Sequence, residues 1–190
     1  QIWPHYPRSC LIKETLLDLS SYNRLGQVFV AANVSAKSVI AVTTAMTGVI
    51  IYNPAGSTKN VLLIDAGFVW TTAPGAVHNI GIAIAPPNLT APATVTAIGS
   101  GVLQANSTGN SAASITRVYD AATLPVAPVA VRWFGGAAYA SAAGNSPYQV
   151  FDHIDGAIML VPGAVACLTV VTTTAVGMGS LTWIEVPVNP

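Results

Sequence analysis

The chain is short of charge. Seven Lys and Arg and seven Asp and Glu are spread over 190 residues, so 7% of the sequence is charged while 52% is hydrophobic; an ordinary soluble domain carries roughly 25% charged residues. Arg8, Lys13, Arg24, Lys37, Lys59, Arg117 and Arg132 stand apart from one another and the formal net charge is zero. No basic patch exists to neutralise phosphates, which excludes nucleic acid as a partner. So few charges also cannot cover a globule of this size. The surface is therefore made of Ala, Thr, Ser, Asn and Gly, or is buried in large permanent interfaces, which are poor in Lys and Glu.

Cysteine is almost missing. Cys10 and Cys167 form no CxxC pair and are too few for a disulfide scaffold. Both are read as reduced and packed as small hydrophobes, a single bridge between them being the alternative. No apolar run reaches the roughly 18 to 20 residues of a membrane-spanning helix, and the Trp residues are scattered singly rather than in the girdles of a membrane barrel. No membrane partner is expected. The N-terminus lacks a basic segment followed by an apolar stretch, so no intact secretory signal is expected either. Also absent are a βαβ rhythm, internal repeats and any long amphipathic helix after residue 22.

What remains is a procession of short segments rich in Val, Ile, Thr and aromatics. They fall at 27–32, 38–44, 49–52, 61–71, 77–85, 93–97, 114–119, 129–134, 148–151, 157–161, 165–173 and 181–186. Turn residues separate them at close intervals: Pro86-Pro87, 106–111, Gly135-Gly136, 144–147, Pro162-Gly163 and 177–179. This punctuation predicts an all-β, antiparallel two-sheet sandwich of jelly-roll type. The length suits one well-cored domain. Residues 1–22 read as an N-terminal arm with a short helix, because Trp3, Pro4, Tyr6 and Pro7 precede Leu11, Ile12, Leu16 and Leu17 at helix-like spacing, and residues 23–190 read as the single β domain. Two long loops interrupt it, 86–93 and 99–114, the second a Gly/Ser/Asn/Ala string expected to be a surface loop.

The stretch 48–72 organises the rest. Asn53-Pro54-Ala55-Gly56-Ser57 lies between two apolar arms and predicts a β-hairpin. In the second arm, period two puts Leu62, Ile64, Ala66, Phe68 and Trp70 on the core face. Val61, Leu63, Asp65 and Val69 then form an opposite face too apolar for free solvent. Gly56, Ser57, Thr58 and Lys59 do not make a phosphate loop, since the GK[ST] ending and a following helix are lacking.

No constellation for chemistry stands out. His5, His78 and His153 are isolated, and in Asp152-His153-Ile154-Asp155 the first two side chains would point to opposite sides of a strand; the segment is read as a solvated turn. No GxSxG elbow occurs, Gly99-Ser100-Gly101 has no strand-to-helix setting, and neither Cys sits where its pKa would fall. No catalytic residue, cofactor or metal is predicted, and the chain is read as non-enzymatic. Asn33, Asn88 and Asn106 match the glycosylation triplet, as chance allows in so Asn- and Thr-rich a chain. Among the aromatics, Trp133 and Trp183 lie in apolar strands and are expected in a core or interface. Tyr139 and Tyr148 are the candidates for surface recognition.

Tyr52-Asn53-Pro54-Ala55-Gly56-Ser57-Thr58-Lys59-Asn60-Val61-Leu62-Leu63-Ile64-Asp65, together with 162–174 (PGAVACLTVVTTT) and 179–188 (GSLTWIEVPV), resembles virion proteins of tailed bacteriophages. The likeness is to capsid cement or decoration proteins of jelly-roll type and covers about a third of the chain. It implies a protein on the outside of an icosahedral head, often a trimer, that ties neighbouring capsomers together. The implied partners are the major capsid protein and copies of the chain itself, and the implied location is the virion surface. On that reading Trp3, Tyr6, Leu11, Leu16 and Leu17 of the arm are the candidate interface residues. The alternative is a receptor- or carbohydrate-binding sandwich of a tail or fibre, with Tyr139, Asn145 and Tyr148 in its groove.

Overall fold

The computed structural model describes residues 19–72, 78–104, 113–137, 149–172 and 174–188. Among these residues one helix, α1 (Leu19–Arg24), leads into twelve strands: β1 (Val28–Ala32), β2 (Lys37–Val39), β3 (Ala45–Tyr52), β4 (Lys59–Trp70), β5 (His78–Ala85), β6 (Ala93–Ala97), β7 (Leu103–Gln104), β8 (Arg117–Thr123), β9 (Val129–Ala137), β10 (Gln149–Leu160), β11 (Val165–Val170) and β12 (Ala175–Pro187). They form two six-stranded sheets. The first runs β10-β4-β12-β1-β7, with β2 added on β12, and the second runs β6-β8-β3-β11-β5-β9. Every pairing is antiparallel.

The jelly roll is visible in the pairing. With the short β2 and the inserted β6, β7 and β8 set aside, eight strands remain. The first of these pairs with the last (β1 with β12), the second with the seventh (β3 with β11), the third with the sixth (β4 with β10) and the fourth with the fifth (β5 with β9). That is one long antiparallel ribbon wrapped around a core, the expected fold class. The core between the sheets is built from alternate residues of both inner faces. Phe29, Leu63, Phe68, Leu181 and Trp183 of the first sheet meet Val49, Ile51, Ile80, Ile82, Ala166 and Leu168 of the second. Trp183 stacks on Phe29 with centroids 6.1 Å apart, and Phe68 meets Trp70 edge-on at 4.9 Å.

The stretch 48–72 is not a hairpin. Its arms, β3 and β4, lie in opposite sheets, and 53–58 is a corner between them. A six-residue connection is long enough to cross the roughly 10 Å between packed sheets. Asn53 holds it there. Wholly buried, it donates from Nδ2 to the carbonyls of Lys59 and Leu160, both at 2.9 Å. Its N–H donates to the Ala164 carbonyl, and its own carbonyl accepts from the Gly163 N–H. The β3–β4 and β10–β11 corners are thus tied into one end of the sandwich.

The core face of β4 also differs from strict alternation. Leu63 pairs with Trp183 and Asp65 with Thr182, which leaves Ile64 as the extra residue of a bulge. The bulge reverses the phase. Val61 and Leu63 point inward before it and Ala66, Phe68 and Trp70 after it, while Leu62, Ile64, Asp65 and Val69 are on the outside. The second layer of the domain therefore covers Val61 and Leu63. Outside, Ile64 packs with Val28, Ile184, Leu62 and Val186 beneath Tyr22 of α1, so α1 straddles the expected boundary at residue 22 and its Tyr22 belongs to the body. Leu11, Leu16 and Leu17 of the expected arm lie outside the described residues.

Two further segments differ from expectation. Residues 38–44 keep only the three-residue β2, because Val42 and Thr43 are exposed and the Thr44 carbonyl is used by the Leu124 N–H instead. Segments 148–151 and 157–161 belong to one strand, β10, in which residues 154–157 loop out between the His153–Asp65 and Ile158–Leu63 pairs. Asp155 and Gly156 take positive φ there, at 52° and 77°. Asp152-His153 thus lies in a strand rather than in a solvated turn.

Both open sides of the sandwich carry polar clips. On one side Asp120 of β8 accepts from Asn33 Nδ2 at 2.6 Å and pairs with Lys37 at 3.1 Å. On the other Arg132 of β9 grips Asp152 of β10. The insertion 86–116 crosses between sheets, and its ends are pinned. Ser100 Oγ donates to the Ala32 carbonyl at 2.6 Å. Ser114, Ile115 and Thr116 all donate to the fully buried carboxylate of Glu185, which also pairs with Lys59 at 3.1 Å.

Candidate functional site

Two outward surfaces set this domain apart from a plain sandwich. The first follows from registers on the outer face of the first sheet. Gln149, Val69 and Met178 lie side by side in one cross-strand row; Phe151, Gly67, Ser180 and Ala32 form the next; His153, Asp65, Thr182 and Val30 form a third. The middle row carries almost no side chain between Phe151 and the far edge, so the sheet is low there. A groove of about 460 Å³ occupies the first two rows. A second depression of about 230 Å³ shares Ala32 and Ser180 with it and continues to Leu103 and Ser100.

Phe151 stands at the rim with 57% of its surface open. Its ring meets the His153 ring edge-on at 4.6 Å, and His153 Nδ1 lies 2.8 Å from Asp65 Oδ1. The carboxylate can only accept, so His153 Nδ1 is the donor of this hydrogen bond. Asp152 points the other way, to Arg132, as expected of adjacent strand residues. Among the described residues no three His, Cys, Asp or Glu come together as metal ligands.

The second surface is on β9, the outermost strand of the second sheet. Val129, Val131 and Trp133 are 65%, 51% and 46% exposed along it; Trp133 pairs with Gly81, Val129 pairs with Ile84, and Val131 is left over at the register shift between them. The Trp133 ring lies over Gly81, where a Cβ would come within 2.5 Å of it. From Leu124 to Ala137 the only charged residue is Arg132, and it is engaged with Asp152. The rest of that sheet face is closed. Residues 124–128 join β8 on one flank to β9 on the other, so they cross the outer face, and Leu124 packs with Ile50, Tyr52, Ala83 and Cys167 beneath. Cys167 is fully buried, its Sγ donates weakly to the Ala83 carbonyl at 3.7 Å, and desolvation pushes its pKa up to about 12.

Of the residues singled out from sequence, Trp183 is in the core as expected, whereas Trp133 is on the surface. Asn33 is buried, its amide bonded to Asp120 and to the Gly179 N–H, and cannot accept a glycan. His78 is buried at the start of β5. Trp3, Tyr6, His5, Asn106, Tyr139, Asn145 and Tyr148 lie outside the described residues. The Phe151–His153–Asp65 group was missed because no local spacing joins residues that meet only through β-pairing. Comparison with known proteins adds no relative: no family model, no curated protein and no solved structure matches the chain.

Proposed function

We propose that this chain is a non-enzymatic structural subunit of a phage virion that sits on the outside of the icosahedral capsid and cements neighbouring capsomers. The observation that carries the reading is the group Val129, Val131 and Trp133: three open apolar side chains along an outermost strand, in a stretch 124–137 whose one charged residue, Arg132, is paired with Asp152. An exposed apolar edge strand is a liability for a free monomer. It is what a permanent contact between subunits uses, and aromatic residues concentrate at such contacts. The jelly roll is a common architecture of capsid proteins, and the scarcity of charge suits a subunit that keeps much of its surface buried. A subunit that binds only the assembled shell stabilises it by its binding free energy at every site.

The test is co-sedimentation with purified heads stripped of this protein. The full chain is expected to bind saturably, and Val131→Glu with Trp133→Glu to bind at least about tenfold more weakly, with an unchanged circular dichroism spectrum. A chain starting at residue 19, which keeps α1, reads the contribution of the arm with Trp3, Tyr6, Leu11, Leu16 and Leu17 and is expected to bind more weakly than the full chain. Failure of the full chain to bind, or equal binding by the double variant, overturns the assignment.

A further inference from the structure

We infer that the groove across the outer face of the first sheet is a binding site for a neutral oligosaccharide. This inference does not depend on the capsid reading and uses none of the residues on β9.

Shape gives the first argument. Gly67, Ser180 and Ala32 are neighbours across β4, β12 and β1, and a Cβ on Gly67 would lie 2.9 Å from Ser180 Oγ and 3.6 Å from the Phe151 ring. The floor is therefore backbone and short side chains, closed at one end by Phe151 and at the other by Leu103. The trough is the two depressions together, which adjoin at Ala32 and Ser180. From β10 to β7 it crosses four strand spacings, roughly 19 Å, enough for a short chain of sugar rings.

Chemistry gives the second. Phe151 presents an open aromatic plate whose edge is fixed against the His153 ring, which is itself held by Asp65. The apolar face of a pyranose packs on such a plate at little entropic cost, because the ring is already placed. Gln149, Ser180, Thr182 and Ser100 line the two depressions, with Asp65 and His153 in the adjoining row, a set of donors and acceptors suited to hydroxyl groups. Among the described residues no Lys or Arg lines either depression. Phosphate, sulfate and uronate groups would find no counter-charge among these lining residues. An acyl chain would leave these polar groups unpaired. A ligand that alternates apolar ring faces with hydroxyls satisfies both parts of the groove.

The test titrates the isotope-labelled full chain with maltohexaose, cellohexaose, xylohexaose and mannohexaose, and with hexagalacturonate as the acidic control, each to about 10 mM, while amide shifts are followed. At least one neutral hexaose is expected to shift residues 65–69, 149–153 and 178–182. Phe151→Ala is expected to weaken that binding at least about tenfold, Phe151→Tyr to retain it, and Gly67→Val, which fills the trough, to abolish it. The proposal is overturned if no neutral hexaose binds, if only the acidic one does, or if binding survives both Phe151→Ala and Gly67→Val. It is also overturned if these residues shift with protein concentration alone, since a second copy of the chain would then cover the face.

Discussion

Arg132 donates to Asp152 through Nε and one terminal nitrogen, at 2.5 and 2.9 Å, and so joins the outermost strand of one sheet to the outermost strand of the other. The same terminal nitrogen reaches the His153 carbonyl at 3.2 Å. The guanidinium pKa is raised, chiefly by the hydrogen bond to Asp152 and further by the charges of Asp152 and Asp155, against a desolvation that lowers it. The fork geometry matters more than the charge, because Lys offers no planar pair of donors. Arg132→Ala is expected to increase amide exchange along β9 and β10 while β1 and β12 stay protected, and Arg132→Lys to fall between it and the parent. Equal exchange in all three proteins would show that the clip does not hold the edges.

Asn53 places a second prediction at the end of the sandwich. Its amide links the Lys59 and Leu160 carbonyls across the corner, and the Lys59 carbonyl also accepts from Ser57 Oγ at 2.8 Å. Asn53→Ala takes the side-chain donor from the Leu160 carbonyl while the Lys59 carbonyl keeps Ser57, and is expected to cost about 2 kcal/mol, within the 1–3 kcal/mol of one unsatisfied buried group. Asn53→Asp is expected to cost at least as much, since a carboxylate cannot donate. Gly163 should be sensitive for a different reason: it has φ of 89°, and a Cβ there would lie 2.7 Å from the Asn88 carbonyl oxygen. Urea unfolding of Asn53→Ala and Gly163→Ala, read as midpoint shifts at constant slope, checks both.

The fold was largely legible in the sequence, and the surfaces were not. Alternation and turn residues locate strands because they report local geometry: 93–97 and 165–170 were read within a few residues of their observed ends. They do not report partners. The apolar arms on either side of Asn53 look like a hairpin until β3 is found pairing with β8 and β11, and β4 with β10 and β12. Nor does alternation reveal a bulge, and the single extra residue Ile64 was enough to exchange the inward and outward sets before it. The groove is harder still. Phe151, Gly67, Ser180 and Ala32 come from four strands, and only the full set of registers puts them in a row.

Cys167 is expected to be inert in the folded protein. It has no exposed surface, sits under the crossing segment 124–128, and its thiol is pushed up to about 12 by burial. A thiolate-directed reagent at pH 8 should leave it unmodified for as long as the fold holds and label it fully in denaturant. Peptide mapping by mass spectrometry separates it from Cys10. Rapid labelling of Cys167 without denaturant would mean that the crossing segment opens readily.

Glu185 makes the stability of the domain depend on pH in the acid range. Burial raises its pKa, but hydrogen bonds from Ser114, Thr116, Lys59 and the Ile115 N–H outweigh this, and the folded pKa lies below the ordinary value. A depressed pKa stabilises the fold above the unfolded value, about 4.3, and the contribution is lost as pH falls through the folded pKa. Removing the carboxylate also releases the return of the insertion at 114–116 and leaves Lys59 without its partner. Glu185→Gln is therefore expected to cost about 3 kcal/mol at pH 7, in the range for breaking a buried pair. The gap to the parent should narrow steadily below pH ~4, because the parent then protonates the same group. Unfolding midpoints of both proteins across that range test the sign. A gap that stays constant with pH would show that Glu185 acts through shape alone and that its charge contributes nothing to holding the insertion.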